Sequence, residues 1–172
     1  MSPQVAVVVT HLELGSREQL RPSTADPQGV QLRQEREPEA SSIAAAMYRR
    51  VGSAWNWRDR LTWTPVEWAN AINQPGVELW TLGEDGLLIG YFELELRDEI
   101  AEVKYFGLTP EGMGRGLGGW LLIRAVERAW ARGAARVILN TCTLDSPAAL
   151  PNYLARGFRL VRVEHQEREL PE

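Results

Sequence analysis

Gly112, Gly114, Gly116, Gly118 and Gly119 crowd one stretch of the chain, 101–122, AEVKYFGLTPEGMGRGLGGWLL. Glycine loses more backbone freedom on folding than any other residue, so such a run persists where the chain must take positive φ or let another group approach its amides closely. The flanks supply the context. Upstream, Ala101 to Leu108 reads as a strand. Downstream, Leu117, Leu121, Ala125 and Ala129, flanked by Leu122 and Val126, recur at the helical period, with Arg124, Glu127, Arg128 and Arg132 on the other side and Gly133 as the stop. A glycine turn that feeds a helix start presents consecutive N–H groups as a concave, partly positive site suited to a phosphate or pyrophosphate. A flexible loop of small residues is the plain alternative, but such loops rarely run straight into a strongly amphipathic helix.

The remaining elements read as support for that turn. Val5 to Leu14 predicts a first strand, followed by a connection through Pro22 and Pro27 and a short strand over 29–36. Pro38 opens a helix that ends at Gly52, with Ile43, Ala46, Met47, Tyr48 and Val51 on its apolar face. A second helix from near Pro65 buries Trp68 and Ile72. Val77 to Leu82 and Leu87 to Arg97 form a hairpin turning at Glu84, Asp85 and Gly86. Its second strand alternates Phe92, Leu94 and Leu96 against Tyr91, Glu93 and Glu95, and pairs onward with 101–108 in an antiparallel meander. After the glycine turn and its helix, Val137 to Leu139 is a short buried strand, parallel to the one before the turn if the unit is βαβ. Ser146 and Pro147 predict the N-cap and N1 of a last helix reaching Arg156, then a final strand over 158–163 and a frayed charged tail.

Composition narrows the function. With 172 residues and 44% hydrophobic content, the chain buries one sizeable core, and a single domain is expected. A net charge of −4 gives no global attraction to nucleic acid or anionic membrane, so a polyanion must be held locally. Cys142 stands alone, which excludes an internal disulfide and fits a reducing cytosol. His11 and His165 have no metal-ligand spacing, and no apolar run has the roughly 18 residues of a membrane span. A soluble, cytoplasmic protein without metal is the expectation.

Gly114, Gly116 and Gly119 also satisfy the dinucleotide fingerprint G-x-G-x-x-G. That reading is disfavoured. An antiparallel meander precedes the turn where repeated βαβ units belong, and the next strand ends at Asn140 rather than at a ribose-binding acid. The run Leu108-Thr-Pro-Glu-Gly-Met-Gly-Arg-Gly-Leu-Gly118 instead resembles the acetyl-CoA-binding motif of the GNAT N-acetyltransferase superfamily. Ala149, Tyr153, Gly157 and Phe158 resemble a second motif of that family, at its spacing. Met113, Ser146 and Pro151 depart from the family pattern. The likeness is clear over about residues 77–163 and only architectural before that.

The resemblance implies an α/β (α+β) fold: a mixed central sheet, antiparallel meander then βαβ unit with splayed parallel strands, flanked by helices. Residues 1–76 would supply N-terminal strands, helices and an acceptor-side aromatic segment, and 77–163 the acetyl-CoA-binding core. It implies an acetyl-CoA-dependent N-acetyltransferase acting on a small-molecule primary amine by direct attack. The pyrophosphate would sit on the amides of Met113, Gly114, Arg115, Gly116, Leu117 and Gly118, and the pantetheine would pair with Phe106, Gly107 and Leu108. Glu102 is the candidate base, facing the same side as Phe106 and Leu108 by strand alternation. Tyr153 is the candidate acid for the leaving thiolate, and Asn140 a partner of cofactor or acceptor amide. Trp55, Trp57 and Trp63, interleaved with Arg58 and Arg60, are candidate substrate contacts for a compact, anionic or aromatic amine. The alternative is an inactive acyl-CoA sensor or interaction module of the same fold. Monomer or homodimer both fit, with Trp120, Ile123 or Trp130 as interface candidates.

Overall fold

A computed structural model of the chain describes residues 2–170. Seven strands, β1 (Gln4–Leu14), β2 (Val30–Glu35), β3 (Val77–Glu84), β4 (Leu87–Arg97), β5 (Ile100–Leu108), β6 (Arg136–Cys142) and β7 (Arg159–Glu169), form one sheet in the order β2-β3-β4-β5-β6-β1-β7. The helices are α1 (Ala40–Gly52), α2 (Pro65–Ile72), α3 (Leu117–Ala131) and α4 (Ala149–Ala155). The apolar stripe of α3, Leu117, Leu121, Leu122, Ala125, Val126 and Ala129, is buried against Phe92, Leu94, Val103, Val137 and Leu139 in the larger core. On the opposite face, α1 and α2 bury Met47, Tyr48, Val51, Trp68 and Ile72 against Leu79 and Tyr91. Within α1 the apolar face uses Ala40 and Ala44; Ala46, read as part of it, is exposed.

Pairing is antiparallel everywhere except between β5 and β6. The β3–β4 hairpin turns on Asp85 (φ 51) and Gly86 (φ 80), the left-handed pair that a two-residue hairpin loop requires. β1 lies between β6 and β7, far from β2. It draws β7 out to Glu169, where the sequence predicts a frayed tail beyond Val163: Val5 pairs with Arg168 and Gln4 with Glu169. The helix before it also begins later than predicted. Ala148 is its N-cap, so Pro151 falls in the first turn, where its missing N–H breaks no helical hydrogen bond. Ile123 and Trp130 are buried, at 7% and 8% exposure, and are core rather than interface residues.

Because β1 and β2 lie far apart in the sheet, the connection from 15 to 29 has to cross the α3–α4 layer. It is tied down at Gly157, where Arg21 N donates to the Arg156 carbonyl at 2.8 Å. Gly157 has φ +101, and a Cβ there would sit 1.8 Å from the Gln19 carbonyl oxygen. Gly157→Ala is expected to lose about 2–4 kcal/mol, from left-handed strain plus displacement of this connection. Urea unfolding measures it as a lower midpoint at unchanged slope.

Candidate active site

The glycine turn closes as a 3-10 turn, Pro110–Gly112, followed by Gly116 in the left-handed region (φ 73) as the N-cap of α3. A side chain at Gly116 would be strained there, and its Cβ would lie 3.3 Å from that of Ala25 on the β1–β2 connection. Leu117, Gly118 and Gly119 open the helix, where amides have no carbonyl one turn back to pair with. The cradle is therefore a patch of free donors at the positive end of a 15-residue helix.

The second element is a split in the sheet. β5 and β6 pair in parallel only at Ile100–Arg136, Ala101–Val137 and Glu102–Ile138. Beyond Glu102, β5 stays with β4 and β6 stays with β1, so the two parallel strands part. A bulge marks the place. Val103 faces Leu94 and Tyr105 faces Glu93, which leaves Lys104 as an extra residue on β5. The bulge inverts the alternation assumed from sequence. Val103, Phe106 and Leu108 pack on the α3 side, whereas Tyr105 packs on the α1–α2 side. Glu102, opposite Glu95, thus faces the α1–α2 side and not the side of Phe106 and Leu108.

Two cavities meet in the split. One, of about 270 Å³, runs from the cradle along β5 and is lined by Met113, Gly114, Gly116, Leu117, Gly118, Gly107, Leu108 and, from the far wall, Val51 and Trp55. The other, of about 350 Å³, is lined by Arg58, Asp59, Lys104, Tyr105, Asn140, Thr141, Cys142 and Arg168. Trp57, Phe106, Asp145 and Tyr153 line both. Trp55 and Trp57 are thus brought to the cavities, and Trp63 is not; it packs on Trp68 at 5.1 Å. Asn140 borders the second cavity, not the first. The Arg115 side chain turns outward to Glu84 (2.8 Å), leaving only its backbone at the cradle.

The wall of the second cavity is a polar network. Asp59 accepts from Tyr48 Oη at 2.6 Å and from Tyr105 Oη. Arg60, read as a pocket residue from sequence, is buried behind it and grips Glu93 with two hydrogen bonds, at 2.7 and 3.1 Å. Burial alone would lower the Arg60 pKa; Glu93 more than offsets this and holds the guanidinium charged.

At the junction, Tyr153 is 4% exposed, its ring 6.2 Å from that of Phe106. Burial pushes its pKa up, and the nearby Asp145 carboxylate adds to this, so the phenol stays protonated at any physiological pH. Burial likewise raises the Glu102 carboxyl above its ordinary range, against the opposing charge of Lys104. Glu102 itself lines neither cavity. Asp145 occupies the junction. It accepts from Trp57 Nε1 (3.0 Å), Thr141 Oγ1 (3.0 Å) and the Ser146 amide (2.8 Å). Its partner Trp57 is 88 residues away, and no local pattern announces such a contact. Among the described residues no group of His, Cys, Asp and Glu is placed to hold a metal ion, and no helix is long and apolar enough to cross a membrane.

A donor-lined helix start thus opens into a split parallel pair. The profile of the Acetyltransferase (GNAT) family matches residues 32–158, and the chain belongs to that family. Over 94 residues it is 34% identical to a mycothiol acetyltransferase of Clavibacter michiganensis subsp. michiganensis, covering 55% of this chain and 30% of that protein. Its fold is that of a GCN5-related N-acetyltransferase from Sphaerobacter thermophilus, at TM-score 0.74 and 15% identity over 97% of this chain and 53% of the other. The ribosomal-protein-S18-alanine N-acetyltransferase of Escherichia coli superposes at TM-score 0.60 and 17% identity over 76% of this chain and 77% of that one. The chain thus spans less than a third of the mycothiol acetyltransferase and about half of the Sphaerobacter protein.

Proposed function

We propose that this chain moves an acetyl group from acetyl-CoA to the primary amine of a small molecule by direct attack. The observation that carries this reading is the meeting of the two cavities at Tyr153, one leading to the cradle and the other to the acceptor wall. The cradle amides from Gly114 to Gly118 hold the pyrophosphate, with the helix end adding its positive charge; the Met113 amide, expected from sequence to join them, donates instead to the Pro110 carbonyl at 3.3 Å. Past Glu102, β5 has no partner on its β6 side, so the main chain around Phe106 and Leu108 is available to pair with the pantetheine as an added strand. An amide there also polarises the thioester carbonyl.

The amine enters from the second cavity and attacks the carbonyl carbon; the C–S bond breaks as the C–N bond forms. Tyr153, which burial keeps protonated, gives its proton to the departing thiolate. Glu102 takes the ammonium proton through water from the α1–α2 side, the side of the acceptor wall. Its raised pKa brings it nearer to that task than an ordinary carboxylate. The base works only when ionised, so activity falls as pH drops through the Glu102 pKa, which lies above the ordinary glutamate value of about 4.3. Glu102→Gln is expected to lower kcat about 10²–10⁴-fold and to erase that acid limb. Thiol release measured against pH on both proteins tests it; an unchanged limb in the variant assigns the base elsewhere.

A further inference from the structure

The charges of the second cavity point to the kind of amine it takes. Asp145 lies at the junction, and the three groups that hydrogen-bond it, an indole, a hydroxyl and an amide, are all uncharged. Its negative charge is therefore offered to whatever stands beside the reacting thioester. Arg168 lines the second cavity but not the first. It is held by β1 through pairing of its backbone with Val5, and its Nε donates to the neutral Gln166 side chain at 3.0 Å. Among the described residues no carboxylate pairs with Arg168. Of the other charges on this wall, Lys104 pairs with Glu95 at 2.9 Å and Asp59 accepts from two tyrosine hydroxyls, while Arg58 and Glu169 complete the lining. Asp145 at the inner end and Arg168, which like Arg58 lines only the outer cavity, make a bipolar site between the aromatic walls of Trp57 and Phe106.

We propose that the acceptor is a small zwitterion, an amine that also carries an oxyanion, with Asp145 receiving the ammonium and Arg168 the oxyanion. This rests on the acetyl-transfer reading above and narrows its substrate. The carboxylate of Asp145 draws the protonated amine to the thioester and fixes its nitrogen, while the planar fork of Arg168 suits a carboxylate or a phosphate. The placement of Arg168 also gives the β1–β7 pairing a purpose, since without β1 the end of β7 would have no partner to hold it at the cavity.

Substrate comparison on the wild-type protein tests this without a variant. Free L-amino acids are compared with their methyl esters, and phosphoethanolamine with ethanolamine, each pair differing only in the oxyanion. The acid or phosphate of at least one pair is expected to exceed its neutral counterpart by about tenfold or more in kcat/KM, the size of one charge-assisted contact. The pair that shows the preference identifies carboxylate or phosphate as the oxyanion. Arg168→Gln should bring the preferred ratio towards one, and Arg168→Lys should restore part of it. Asp145→Asn should raise KM for both members of the pair. Esters and ethanolamine used as well as their anionic counterparts overturn the zwitterion and leave acetyl transfer standing. Thermal stabilisation by the anionic probes in the presence of CoA, without thiol release from any amine, supports the binding site and overturns the transfer reading instead. No stabilisation and no turnover with any probe overturns both.

Discussion

Arg60→Ala should destabilise the protein by about 3–5 kcal/mol, which for a chain of this size lowers the melting temperature by roughly 6–20 °C. The side chains of Arg60 and Glu93 are only 7% and 2% exposed, so removing one partner strands a charge that water cannot reach. The guanidinium also lies over the rings of Trp63 (4.5 Å) and Tyr105 (4.1 Å), so the truncation opens space in an aromatic cluster as well. The backbone amide of Arg60 donates to Tyr48 Oη at 3.0 Å, the hydroxyl that in turn holds Asp59. Loss of Arg60 thus loosens the acceptor wall. Glu93→Leu alone should cost a similar amount by leaving the guanidinium buried and unpaired. The double change Arg60→Met with Glu93→Leu should recover most of the loss, because a buried ion pair replaced by apolar groups of like volume is often neutral. Thermal melts of the two single variants and the double variant read the coupling directly. Additive losses would mean that the pair is not desolvated as described.

Tyr153→Phe is expected to cut kcat by about 10²–10⁴-fold, the usual worth of one positioned acid. The substitution deletes a single oxygen and keeps the ring that packs on Phe106 and Phe158. Fold and acetyl-CoA affinity should therefore be close to wild type, with the loss confined to turnover. Phenylalanine at full activity would show that the thiolate leaves unassisted or takes its proton from water.

Sequence reading reached some of this architecture and missed the rest for physical reasons. The Asp85-Gly86 hairpin, the meander and the α3 stripe were legible because each is set by neighbours within a few residues. The seat of β1 between β6 and β7 was not, since strand order depends on long-range pairing that a local pattern of apolar residues does not encode. Lys104 illustrates the same limit at one residue. Nothing in AEVKYFGL marks an inserted position, yet the bulge turns Glu102 to the other face. At the site, the glycine cradle and Tyr153 carried spacing that could be read, and both border the cavities. Asp145 and Arg168 carried none. One is made functional by an indole 88 residues away, and the other by a strand from the opposite end of the chain. Pro151 departs from the family pattern without harm to the helix, which starts at Ala149 rather than at Pro147.

The most direct measurement is a titration with acetyl-CoA by calorimetry, followed on the same sample by thiol release across a panel of small amines with the product mass recorded. Saturable binding, together with amine-dependent release of one thiol per acetylated amine formed, is the predicted result. Absence of acetyl-CoA binding would contradict the assignment of the glycine cradle, and binding without amine-dependent release would leave the fold as a sensor rather than a transferase.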